Sequence, residues 1–223
     1  MRLDEYLVDE GLVQSRNRAK RLIGRGLVKV DGITAVKPSQ KIEYGRSVTI
    51  EGENMPEGYF KLKYIQEASD ILQEGDAVLD IGSSAGGFLM FASPIASRVT
   101  GIEFSLEFEE PLRDVEKEYR NVRVVFADAF NMDIAQLDGP YDVILNDMTV
   151  EPMISIDVLK RFLPLLKEHG RVMQVVKLGP KGRPDPMVKR LQELELKTDE
   201  VIVSEKMEAY IIASKKNIRL SQG

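Results

Sequence analysis

Four charged residues occupy positions from which they can act together: Lys61, Asp147, Lys177 and Glu208. Lys177 follows Val175-Val176, at the inner end of what reads as a buried strand, and Asp147 closes another apolar run one parallel strand away. An ammonium at such a place is costly unless a partner or a task holds it there. A Lys177–Asp147 ion pair is the plain structural account. Lys61, beside the sheet entrance, and Glu208, just before the last strand, turn the pair into two cations and two anions. Such a set can lower one lysine's pKa and orient its lone pair.

These residues need a pocket, and the stretch Ala77-Val78-Leu79-Asp80-Ile81-Gly82-Ser83-Ser84-Ala85-Gly86-Gly87-Phe88 supplies the strongest candidate. Its first part is a strand buried on both faces, and three glycines then let the chain turn and start a helix. Open α/β sheets bind cofactors at this kind of place, beside the carboxyl end of a parallel strand. The spacing of Gly82, Gly86 and Gly87 is G-x-x-x-G-G and not the G-x-G-x-x-G of dinucleotide binders. Glu103, with Phe104 beside it, ends the next apolar segment 21 residues beyond Gly82, and its carboxylate can accept both ribose hydroxyls of an adenosine. Its other reading is a solvated residue at a helix start. Asp128 can take an adenine amino group while Ala129 and Phe130 offer apolar contacts, or it can cap the following helix.

The elements that must hold these residues alternate strand and helix. Strands are expected at 77–81, 99–103, 122–127, 141–146, 171–176, 200–204 and 209–214. Helices are expected near 61–73, 86–96, 107–119, 153–168 and 185–195. The last two strands leave no room for a helix between them, so one must run antiparallel. The expectation is an α/β fold: a Rossmann-like, doubly wound seven-stranded sheet with right-handed connections and an antiparallel last strand. Residues 1–52 read differently, as a small α+β domain, and 53–58 as a linker to a second domain at 59–223.

Composition narrows the chemistry. The chain has 223 residues, no cysteine and one histidine, which leaves little for thiolate catalysis, cysteine zinc sites or a serine–histidine hydrolase. No metal site is expected. His169 precedes Gly170 at an expected helix end and suits a C-terminal cap. No signal-like run opens the chain and no stretch approaches a membrane span, so a soluble cytoplasmic protein is expected.

The net charge of −5 is unevenly spread: residues 1–52 hold ten Lys/Arg against seven Asp/Glu, so they carry +3 and the remaining 171 residues −8. No acid occurs between Glu10 and Asp31. Ser15 caps an expected helix whose inner face is Ala19, Leu22 and Ile23 and whose other positions are basic. A compact, phosphate-contacting surface follows. Arg2-Leu3-Asp4, Ser15-Arg16, Ala19-Lys20-Arg21-Leu22-Ile23 and Gly26-Leu27-Val28-Lys29-Val30-Asp31-Gly32 make this segment resemble the alpha-L RNA-binding domain. The resemblance implies RNA contacts from Arg2, Ser15, Arg16, Arg18, Lys20, Arg21, Arg25 and Lys29.

From about residue 57 onward the chain resembles the FtsJ-type family of S-adenosylmethionine-dependent RNA 2′-O-methyltransferases, whose catalytic set is Lys–Asp–Lys–Glu. The set falls on Lys61 in Tyr59-Phe60-Lys61-Leu62, Asp147 in Asn146-Asp147-Met148, Lys177 in Val176-Lys177 and Glu208 in Glu208-Ala209-Tyr210. The resemblance implies S-adenosylmethionine held by Gly82, Ser83, Ser84, Ala85, Gly86, Gly87, Phe88, Glu103, Phe104, Asp128, Ala129 and Asp147. It implies RNA as substrate, with Lys177 as general base, its pKa lowered by Lys61 and by partial burial, while Asp147 and Glu208 hold the amines in place. The domain order is similar to that of the TlyA, or hemolysin A-like, ribosomal RNA methyltransferases, which points to ribosomal RNA or a ribosomal subunit as partner. Two places depart from those patterns: Pro56-Glu57-Gly58-Tyr59-Phe60 stands where those proteins carry Ser-Arg-Gly-Gly, and Ala85 where stand-alone FtsJ-type enzymes carry proline. Two competing readings are a nicotinamide-dependent oxidoreductase, disfavoured by the glycine spacing, and an RNA-binding assembly factor that keeps a cofactor pocket without turnover.

Overall fold

The computed structural model describes residues 1–13, 15–50, 55–179, 182–204 and 207–215. It forms two compact units, Met1–Met55 and Pro56–Gly223. The expected linker at 53–58 lies partly outside the described residues. Its described end is already helical, because α3 spans Glu57–Ser69.

In the first unit, helices α1 (Leu3–Asp9) and α2 (Arg16–Gly24) accompany a three-stranded sheet in the order β2-β1-β3. Those strands are β1 (Val28–Val30), β2 (Ile33–Thr34) and β3 (Val48–Ile50). Leu3, Leu7, Ala19, Ile23 and Val28 bury the inner faces. Asp31 and Gly32 both have positive φ, 50° and 81°, the twist that a two-residue hairpin needs. The Ser15 side chain accepts the Arg18 N–H at 3.3 Å and so caps α2.

The second unit contains β4 (Ala77–Ile81), α4 (Gly87–Ala92), β5 (Arg98–Glu103), α5 (Glu109–Glu118), β6 (Val122–Phe126), β7 (Tyr141–Asn146), α6 (Pro152–Phe162), β8 (Leu166–Lys177), α7 (Asp185–Glu193), β9 (Leu196–Val203) and β10 (Glu208–Lys215). Its seven strands lie in the order β6-β5-β4-β7-β8-β10-β9. Pairs β4–β5, β4–β7, β5–β6 and β7–β8 are parallel, whereas β10 is antiparallel to both neighbours. The antiparallel strand is thus the last strand among the described residues but lies inside the sheet.

Alternation along β4, which is buried on both faces, explains why all its residues but Asp80 are apolar. Ala77, Leu79 and Ile81 pack with Ile156, Leu159 and Phe162 of α6 and Leu191 of α7, while Val78 packs on the opposite face with Leu62 and Ile65 of α3 and Leu89 of α4. Each fully buried side chain of this size contributes about 1.5–3 kcal/mol of transfer free energy.

Several boundaries differ from the expectation: α3 lies four residues earlier, α4 stops at Ala92 and β9 starts at Leu196. The helix expected through 168 stops at Phe162, a single 3₁₀ turn covers Leu163–Leu165, and β8 already starts at Leu166. Leu163 keeps helical dihedrals (φ −58°, ψ −30°), but Pro164 supplies no N–H for the Lys160 carbonyl and its ring crowds that carbonyl, which accounts for the stop. His169 accordingly does not cap a helix. It sits at φ 62° within β8, where the register against β7 shifts between Tyr141 and Val143. Among the described residues no helix is long and apolar enough to cross a membrane, and no cluster of His, Asp and Glu is placed to hold a metal ion.

Candidate active site

The turn after β4 is set by backbone geometry. Gly82, Ser84 and Gly86 have φ of 85°, 50° and 79°, and the Gly82 and Ser83 N–H groups both donate to the Ile102 carbonyl of β5. This ties the turn to the end of the neighbouring strand. Glu103, the last residue of β5, accepts three backbone N–H groups: Ser84 at 2.7 Å on one oxygen, and Phe104 at 2.9 Å and Ser105 at 2.7 Å on the other. It is buried, at 8% exposure, so the solvated helix-start reading does not hold.

Two cavities open around this turn. One, of about 480 Å³, is lined by Glu103, Phe104, Phe108, Asp128, Ala129 and Phe130, among others. The other, of about 610 Å³, is lined by Lys61, Ser83, Ala85, Gly87, Phe88, Lys177 and Glu208 together with the first residues of α3. Gly82, Ser84, Asp147 and Thr149 line both, so the cavities meet at the turn. Of the twelve residues expected to hold a cofactor, only Gly86 lines neither cavity. It faces α5 instead, where a Cβ would lie 3.0 Å from Val115 Cγ2.

The charged set converges from three elements. Lys61 on α3 places its Nζ 2.7 Å from an Asp147 oxygen at the end of β7, and 3.2 Å from a Glu208 oxygen at the start of β10. The Tyr210 hydroxyl lies 3.1 Å from the same Glu208 oxygen and orients it. Burial alone would lower the Lys61 pKa, but Asp147 and Glu208 outweigh it and hold the pKa above the usual lysine value. Burial raises the Asp147 pKa, and Lys61 offsets only part of that rise, with nearby Glu208 adding to it.

Lys177 departs from the expectation. It lines the larger cavity and stands directly opposite Glu208 in the β8–β10 ladder, yet it is exposed, and neither Asp147 nor Glu208 pairs with it. Both acids are committed to Lys61. The reason lies in the position: β8 is buried through Val176, and Lys177 is the residue at which it leaves the core.

Asp128 caps no helix, since the next helical turn, Ile134–Gln136, is capped by Asp133; it instead closes a turn, accepting the Phe130 N–H and the Asn131 side-chain amide, both at 2.9 Å, while also lining the smaller cavity. Several lining residues escaped the sequence reading: Phe108, Met148, Thr149, Val150, Pro56 and Glu57. For residues 148–150 the available signal was their position just past the end of β7.

In the first unit, Arg2 and Arg16 are among the residues expected to meet RNA that are engaged within the protein. Arg2 Nε and Arg16 lie 2.9 Å and 3.0 Å from the two oxygens of Asp4, whose side chain is completely buried, and together they hold its pKa down at about 2. Lys20 and Arg21 are exposed on α2, while Arg18, Arg25 and Lys29 are half-buried.

The sheet order, the ligand-sized cavities at the carboxyl ends of the parallel strands and the Lys–Asp–Glu cluster belong to a methyltransferase fold. Solved structures agree on that fold. The chain is similar to Aeropyrum pernix fibrillarin with natively bound S-adenosyl-L-methionine (TM-score 0.61, 20% identity, 79% of this chain and 85% of that one). It is also similar to a Streptococcus thermophilus protein provisionally labelled a hemolysin (TM-score 0.59, 20% identity, 97% of this chain and 89% of that one). Residues 56–196 match the FtsJ-like methyltransferase family and residues 1–48 match the S4 domain. The chain belongs to the FtsJ-like methyltransferase family.

Among curated relatives, the 16S/23S rRNA (cytidine-2′-O)-methyltransferase TlyA of Mycobacterium tuberculosis is 38% identical over 91 residues. The ribosomal RNA large subunit methyltransferase E of Natronomonas pharaonis is 33% identical over 90 residues. These alignments take in 39% and 40% of this chain and 34% of each relative, so about a third of either protein is matched.

Proposed function

We propose that this chain transfers a methyl group from S-adenosylmethionine to a ribose 2′-hydroxyl of RNA, with ribosomal RNA as the substrate class. The observation that carries the reading is the Lys61–Asp147–Glu208 cluster, with Lys177 on the same cavity wall, adjoining the cavity fixed by Glu103.

The residues present fit the methyl donor. Glu103 is oriented by three backbone donors and has lone pairs left for ribose hydroxyls, while Phe104, Ala129 and Phe130 offer apolar surface for an adenine. Gly82 and Ser84, common to both cavities, leave room for a ligand that runs from one to the other. When bound, the donor supplies an electrophilic methyl group on a sulfonium, whose departure leaves a neutral thioether.

The chain itself must position the hydroxyl and accept its proton. Lys61, raised in pKa and bound to two carboxylates, stays cationic and holds Asp147 and Glu208 in place. Lys177, which lines the cavity and which neither acid pairs with, takes the proton as the neutral amine, having first released its own proton to solvent. Alignment of hydroxyl and methyl supplies much of the rate, since well-oriented intramolecular reactions gain about 7–11 kcal/mol. In this reading residues 1–52 tether RNA and residues 59–223 perform the transfer; everything after residue 52 carries a net charge of −8, and a body of that sign repels RNA unless a basic module holds it. The S4 match supports the tether.

Lys177→Ala is expected to abolish transfer of labelled methyl to ribosomal RNA while S-adenosylmethionine still binds. Near-normal turnover would overturn the base assignment. Mass-spectrometric mapping of ribose methylation in cells lacking the protein identifies the nucleotide, and an unchanged map would remove ribosomal RNA from the proposal.

A further inference from the structure

The loop that follows β6 forms one wall of the smaller cavity through Asp128, Ala129 and Phe130. Its shape is only partly fixed from within. Asp128 closes the turn, and Ala129 and Met132 are buried, while the Phe130 ring is 46% exposed. The remaining restraint comes from another element. Arg161, in the last turn of α6, donates one guanidinium N–H to the Ala129 carbonyl and another to the Met132 carbonyl, the latter at 2.7 Å.

The two carbonyls lie three residues apart and flank the segment that carries the Phe130 ring. A planar guanidinium with several donors in fixed directions can bridge them, and an ammonium on a flexible stem cannot do so with the same geometry. The other end of α6 follows directly on the residues 147–150 that line the cavities. Helix α6 thus links two walls of the smaller cavity, and Arg161 is its hold on the farther one.

We propose that Arg161 is a positioning residue for the adenosine end of the methyl-donor site, fixing the 128–132 loop in its ligand-ready shape without touching the ligand. This rests on the reading that the smaller cavity takes the adenosyl group. Arg161 affects affinity for the nucleoside half of the donor and leaves the amino-acid half and the proton-accepting cluster alone. It contributes binding energy by sparing the loop the cost of ordering when ligand arrives.

The test uses the full chain and compares Arg161→Lys with Arg171→Lys. Arg171 is the control because its ion pair with Asp76, at 2.7 Å, lies at the opposite, amino end of the parallel strands. In ligand-free protein, Arg161→Lys is expected to speed amide hydrogen exchange at Phe130–Met132 about tenfold. By calorimetry, affinities for S-adenosylhomocysteine and for adenosine should fall by the same factor, about tenfold. Arg171→Lys should lower the melting temperature without either effect. Unchanged exchange in Arg161→Lys, affinities within twofold of wild type, or an equal affinity loss in Arg171→Lys would each overturn the proposal. Wild-type protein that binds neither ligand would overturn the adenosyl-site reading, and this proposal with it. The exchange measurement, made without ligand, separates that outcome from a failure of the loop restraint itself.

Discussion

Gly87 lies so close to the start of α3 that a Cβ on it would fall 2.4 Å from the Tyr59 nitrogen and 2.8 Å from Gly58 Cα. Two glycines therefore set how near the helix carrying Lys61 comes to the turn after β4. Neither neighbour can yield, because the atoms facing Gly87 are backbone.

Gly87→Ala is accordingly expected to push α3 outward and lengthen the Lys61–Asp147 contact. Overpacking of this kind costs about 1–3 kcal/mol. The melting temperature should fall, and methyl transfer should drop at least tenfold at saturating donor. A variant of unchanged stability with full activity would mean that α3 can shift without cost.

Asp80 predicts a pH dependence. It is buried at 1% exposure and neither carboxylate oxygen meets a donor, since the Ser83 hydroxyl donates to the Asp80 backbone carbonyl. Burial pushes its pKa up to about 7, nearby Ser83 offsetting part of the rise and Asp147 and Glu103 adding to it. A carboxyl whose folded pKa is raised contributes stability that is present below its unfolded value and lost as pH rises towards the folded one. Between about pH 4 and 7 the wild type should lose stability that Asp80→Asn does not. Urea midpoints at pH 5 and pH 8 check this: relative to wild type, the variant should gain more than about 1 kcal/mol between them.

Asp4 behaves in the opposite sense. Arg2 and Arg16 hold its pKa at about 2, so its contribution is present above the usual carboxylate range and lost as pH falls towards 2. Asp4→Asn should remove this acid-sensitive component and cost about 1–3 kcal/mol at pH 7. Amide exchange in α1 and α2 reads both effects, and equal acid sensitivity in the two proteins would count against the ion pairs.

Lys61→Met leaves Asp147 and Glu208 facing each other without their shared cation. Asp147, already raised by burial, should then titrate higher still, as carbon-13 NMR of its carboxyl would record. Methyl transfer should fall at least a hundredfold. A downward shift at Asp147 would show that Lys61 is not its main partner.

The sheet was legible because β4, β7 and the turn at Gly82–Gly87 carry strong local signals: mostly apolar runs and glycines where φ must be positive. The cluster was legible for a related reason. Asp147 and Lys177 stand where apolar runs stop, and strand ends in an open parallel sheet share one edge. Which lysine takes the two acids was not legible. Lys61 sits early in a helix, and its reach depends on the Gly58–Gly87 contact, between segments that sequence periodicity treats separately. Gly58 itself read as linker because a glycine among polar residues resembles a loop until the helix it begins is seen to pack. Arg161 gave no signal, since a basic residue in the last turn of a helix is ordinary, and its acceptors are backbone carbonyls about thirty residues earlier.

The position of β10 bears on the order of events during synthesis. Strand β9 has no contact with β8 in the ladder; its partner is β10, which fills the gap between them and brings Glu208 with it. A growing polypeptide that has not yet released this segment from the ribosome therefore has one dangling strand and an incomplete acid pair around Lys61. On the proposed reading, RNA of the substrate class surrounds the chain at that moment, and the site is complete only once this strand has slid into place.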